Sequence, residues 1–70
     1  MTPKRLAEIG KLLCGPSWRG ALASEIGIAE RTMRRWADGE RAIPETVEGD
    51  LASLCEKRSA ALLKVAETLR

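Results

Sequence analysis

The stretch RGALASEIGIAERTMRRWADG, residues 19–39, constrains this chain more than any other. Its apolar positions are Leu22, Ala23, Ile26, Ile28, Met33 and Trp36, and they read as a helix, a tight turn and a second helix. Gly27 falls where the first helix must stop and the backbone must turn sharply. Glycine alone enters the left-handed region there without a steric penalty. Ala23 lies where a larger side chain would push two crossing helices apart. With Met33 and Trp36 pointing inward, Arg31, Arg34 and Arg35 take the face that is left over.

Two helices joined by a short Gly-containing turn are the form of the helix-turn-helix. Residues 22–39, LASEIGIAERTMRRWADG, resemble that element as it occurs in the phage-repressor (Cro/repressor, XRE-like) family. The shared run is Leu-Ala, three residues, Gly, a β-branched residue, then a helix ending in Trp-x-x-Gly. Gly15-Pro16-Ser17-Trp18 ahead of it and Ile43-Pro44 after it resemble small phage and proteobacterial DNA-binding proteins of this type. Ala29 stands where the family often has Ser or Thr, and Arg19 where Gln is common. The resemblance implies an all-α fold, a compact four- to five-helix bundle of the lambda-repressor-like kind. Residues 1–58 would form the DNA-binding domain and residues 59–70 a C-terminal helical extension.

Seventy residues allow one small domain. A core so limited leads one to expect extra stability from a partner subunit. The chain has no Phe, Tyr or His, and its apolar content of Leu, Ala and Ile favours helices over strands. No apolar run approaches the ~18 residues of a membrane span. Lys4, Arg5 and Glu8 interrupt the N-terminal apolar pattern, which is not that of a signal peptide. Together with the family resemblance, which implies a bacterial or phage origin, this makes the cytoplasm of a bacterial or phage-infected cell the expected location. The net charge is only +2, but Arg31, Arg34, Arg35 and Arg41 are followed directly by Glu45, Glu48 and Asp50. A basic face backed by an acidic segment suits a nucleic-acid surface. Cys14 and Cys55 lack metal-ligand spacing and read as two buried, reduced thiols. No metal and no cofactor is implied.

Thr2 can cap a first helix, with Pro3 in its first turn. Leu6, Ile9 and Leu13 give that helix one apolar face, and Lys4, Glu8 and Lys11 lie outside it. Gly15-Pro16 ends it. Ser17 is placed to cap the second helix. Trp18 reads as a ring covering one end of the core, and the helix N-terminus it marks can at the same time abut a DNA phosphate, with Arg19 standing where that phosphate would lie.

The third helix runs from about Ala29 to Ala37. The family resemblance places base-reading positions on Glu30, Arg31, Arg34 and Arg35. Arg can bond guanine O6 and N7 together, and Glu can accept from cytosine N4. The plainer alternative is a solvated helix face with a Glu30–Arg34 ion pair. Gly39 closes the helix, and Arg41 in the loop beyond is assigned to phosphate. Pro44 is expected to start the next helix. There Val47, Leu51, Leu54, Arg58, Ala61 and Val65 follow a nearly heptad spacing, as one helix to about Leu69 or two broken near Arg58-Ser59. Ala61, Leu62, Val65 and Leu69 offer a dimer contact, or else fold back onto the first helix.

The resulting expectation is a sequence-specific regulator of double-stranded DNA, a repressor bound as a homodimer to a palindromic operator. No small-molecule partner is implied. The competing reading is a protein-interaction module such as an antitoxin or adaptor that keeps the fold. An RNA-binding module lacks the Tyr and Phe that stack on unpaired bases. An enzyme is not expected, because there is no His, no pocket-framed carboxylate pair and no phosphate-binding Gly loop.

Overall fold

A computed structural model describes residues 1–70. The chain is all helix with no strand: α1 (Pro3–Cys14), α2 (Trp18–Ile26), α3 (Glu30–Ala37) and α4 (Thr46–Thr68). Four helices are present, at the lower end of the expected count.

Helix α1 begins as its sequence dictates. The Thr2 hydroxyl accepts from the Arg5 N–H at 3.1 Å, and Pro3 occupies the first turn, where no N–H is needed. Leu6 is fully buried, Ile9 and Leu13 are half-buried, and Lys4, Glu8 and Lys11 face solvent. Helix α2 ends as Gly27 enters the left-handed region at φ 73°. The Ile28 N–H donates to the Ala23 carbonyl at 2.9 Å and the Gly27 N–H to Ser24 at 3.3 Å. This pair of bonds satisfies the last carbonyls and turns the chain in three residues, Gly27–Ala29. Helix α3 closes in the same manner around Gly39, with Glu40 donating to Arg35 and Gly39 to Trp36.

The core consists of Leu6, Trp18, Leu22, Ala23, Met33, Trp36, Val47, Leu51 and Leu54. All four helices contribute to it. Burying Trp18 and Trp36 together supplies much of the apolar area that so short a chain can remove from water. No buried side-chain polar atom is left without a partner.

Helix α4 is one uninterrupted helix, without a break at Arg58-Ser59. It starts at Thr46. Pro44 lies in the preceding turn, where its carbonyl accepts from the Val47 N–H at 3.1 Å. Its first half supplies Val47, Leu51 and Leu54 to the core. Its second half leaves the globule, which lengthens the molecule to 46 × 22 × 20 Å. Ala61, Leu62, Val65 and Leu69 are all exposed there, so the tail does not fold back onto α1. Because α4 runs on without a break past Arg58, its second half has passed the end of the globule and does not pack on α1. The cysteine expectation also needs correction. Cys14 is half-buried and Cys55 is exposed, because Cys55 lies beside, not on, the face of α4 that carries Leu51 and Leu54.

Candidate nucleic-acid interface

The arginine face follows from the amphipathic pattern of α3. Met33 is fully buried and Trp36 nearly so, which turns Arg31 and Arg34 to solvent and leaves Arg35 at the half-buried edge. Glu30 stands one turn before Arg34 on the same stripe, and the Arg34 guanidinium donates to its Oε1 at 2.9 Å. Both side chains are more than half exposed, so the pair contributes little to stability. Its effect is orientation. The Glu30 carboxylate also packs against Gly20 of α2, where a β-carbon would come within 3.2 Å of Oε1. Gly20 thus leaves room for the Glu30 carboxylate beside α2, where it accepts from Arg34. Of the four residues assigned to base reading, Arg31 is the exposed one with no ion-pair partner, and Glu30 is engaged within the molecule.

The N-terminus of α2 is nearby in sequence but partly different from expectation. Ser17 occupies the cap position with φ −96° and ψ 47°, yet its hydroxyl accepts no hydrogen bond from the helix. Trp18 is 1% exposed, so its ring cannot touch a phosphate. The indole instead fills the space over Gly10 of α1. Arg19 is exposed, with its guanidinium carbon 5.2 Å from the centre of the Trp18 ring. Such stacking restrains a long side chain while leaving its donors outward. Arg41 is exposed in the loop after α3.

Two features escaped the sequence reading. The first is Gly10, whose presence inside an amphipathic helix was the available signal of close packing. The second is Arg58. It donates to Glu25 Oε1 at 2.9 Å and also to the Leu13 carbonyl, tying α4 to α2 and to the end of α1. Its place among Leu54, Ala61 and Val65 in an apolar spacing marked it as lying toward the globule, but a partner 33 residues away carries no local signature.

No group of His, Cys, Asp or Glu is arranged to hold a metal ion, and no helix is long and apolar enough to cross a membrane. No family model, curated protein or solved structure matches the chain.

Proposed function

We propose that this protein is a sequence-specific double-stranded DNA-binding regulator. In this reading α2 and α3 form a helix-turn-helix of the lambda-repressor-like kind, and α3 enters the major groove. One observation carries it. Helix α3 packs through Met33 and Trp36, ends in tight glycine closures on both sides, and turns an arginine face to open solvent. Arg31 and Arg34 stand exposed on that face, with Arg35 at its half-buried edge.

Arg31, Arg34 and Arg35 are the base-reading side chains, with Glu30 as the residue that sets Arg34. Arg19, the α2 N-terminus at Ser17 and Trp18, and Arg41 contact phosphates, Trp18 through its backbone alone. A homodimer would set two copies of α3 in successive major grooves about 34 Å apart on an inverted repeat. Repression then needs only occupancy of a promoter. Because much of the affinity comes from neutralising phosphates, binding falls steeply with salt.

Selection of bound duplexes from a random pool tests the reading. A palindromic consensus, bound in a salt-dependent manner, is the expected result. A pool that shows no enrichment over the starting duplexes removes the proposal and favours a protein-interaction module on the same fold.

A further inference from the structure

Helix α4 carries a second, uncharged and mostly apolar stripe beside the one that enters the core. Ala52, Cys55, Ser59, Leu62, Ala66 and Leu69 recur at alternating spacings of three and four. This is a heptad seam. All six face solvent except Ala66, which is half-buried. No charged residue interrupts the stripe, while Lys57 and Lys64 occupy the side of the helix opposite to it. Leu62 is 68% and Leu69 81% exposed. At its N-terminal end the stripe forms one wall of a mostly apolar groove of about 500 Å³, whose other wall is Ile9, Leu12 and Leu13 of α1, with Arg5 and Glu48 also lining it. Leu12 stands 87% exposed at its edge. One face of the molecule therefore holds an empty apolar groove and, continuous with it, a protruding apolar ridge.

We infer that two copies of this chain pair through this face with their α4 helices antiparallel, the tail of each lying in the groove of the other. The inference rests on the two-copy part of the reading above and is independent of the duplex. Its register follows from side-chain size. A two-fold axis between Ser59 and Leu62 sets Ala52 against Leu69 of the partner subunit, Cys55 against Ala66 of the partner subunit, and Ser59 against Leu62 of the partner subunit. Every leucine then meets a small residue, an alternation of large and small that lets two helices interdigitate closely. A parallel pairing stacks like on like. It sets Ala on Ala and Ser on Ser in alternate layers, and it leaves the groove beside α1 empty.

The flanks agree with the antiparallel register. Glu56 lies between Leu63 and Arg70 of the partner subunit, the latter of unlike charge, and the stem of Arg58 lies beside Val65 of the partner subunit. The Arg58 guanidinium of each copy is held by Glu25 and the Leu13 carbonyl of its own chain. Of the residues read from sequence as a dimer contact, Leu62 and Leu69 lie in the seam and Val65 on its flank. Ala61, together with Leu62, lines the recess formed with Leu13, Leu54 and Arg58 of its own chain.

Sedimentation and thiol cross-linking in the absence of DNA test the pairing. The unmodified chain should sediment as a dimer. Leu62→Glu with Leu69→Glu, both outside the core, should retain the helical circular dichroism and weaken association at least tenfold. With Cys14→Ser to leave a single thiol, a short bismaleimide should not link two copies, because antiparallel Cys55 side chains are about 16 Å apart along the axis. Adding Ala66→Cys should give a covalent dimer in high yield. A monomeric unmodified chain, a dimer that survives the double glutamate variant, or linkage through Cys55 alone would overturn the inference. Duplex binding is measured separately on the same samples. A monomer that binds duplex defeats only the pairing, and a cross-linked dimer that binds none defeats only the nucleic-acid reading.

Discussion

The indole of Trp18 rests on the backbone of Gly10, so close that a β-carbon at Gly10 would lie 2.3 Å from ring atom Cε3. The contact joins α1 to the first turn of α2 and fixes how the arginine-bearing unit sits on its brace. Ala is the better helix former by about 1 kcal/mol, and in open space Gly10→Ala would stabilise α1. Here the clash is with a buried ring that has nowhere to move. Overpacking should win, at a net cost of about 1–3 kcal/mol. Urea unfolding followed by tryptophan fluorescence measures it, and a midpoint at or above that of the unmodified chain would contradict the packing.

Gly27 and Gly49 predict opposite signs for the same substitution. Neither has an atom within 4 Å of a built β-carbon, so sterics with neighbours do not enter. Gly27 has φ 73°, which costs an L-residue about 1–2 kcal/mol, so Gly27→Ala should destabilise by that order. Gly49 lies within α4 in ordinary helical conformation, and Gly49→Ala should stabilise by about 0.4–1 kcal/mol. Thermal or urea unfolding of the two variants side by side checks both.

The arginines divide by the part of a duplex each would meet. Arg34→Ala or Arg35→Ala should weaken operator binding by about 1–3 kcal/mol and relax base preference. Arg19→Ala and Arg41→Ala should weaken all sequences alike and lower the slope of log affinity against log salt by about 1 each. Titration of selected and scrambled duplexes at several salt concentrations separates the two patterns. If Arg34→Ala and Arg35→Ala both bind as the unmodified chain does, α3 is not in the groove.

Glu30 holds the Arg34 guanidinium at 2.9 Å while packed against Gly20. Removing it with Glu30→Ala takes one negative charge from the face and frees Arg34 to swing. Affinity for random duplex should rise, and the ratio of operator to random binding should fall. The same competition titration reads both numbers. An unchanged ratio would make the ion pair incidental.

Much of the fold was legible because the signals are local. Thr2-Pro3, Gly27 and Gly39 act through the backbone of their immediate neighbours, and each does in the structure what its residue type dictates. Met33 and Trp36 reveal the inward face of α3 by spacing alone. The candidate interface was legible for the same reason, since the outward face is what the inward face leaves. Trp18 was not. Its position in a first turn fits both a buried ring and an exposed one, and the deciding contact is with Gly10 on another helix. Ser17 was read as a cap from its residue type, and it occupies the cap position, but its hydroxyl makes no bond to the helix N–H groups.

The sequence by itself determined that this chain is helical, where most of its helices stop, and which side of α3 is polar. These follow from backbone conformational preference and helical periodicity, and both are properties of neighbouring residues. Only the tertiary structure decided that Trp18 is interior, that Arg58 spans to Glu25 and Leu13, that Cys55 is exposed, and that α4 runs on past the core with an unused apolar stripe. Each of these depends on which surfaces the other helices have already covered. That is a matter of volume and distance between segments remote in the chain.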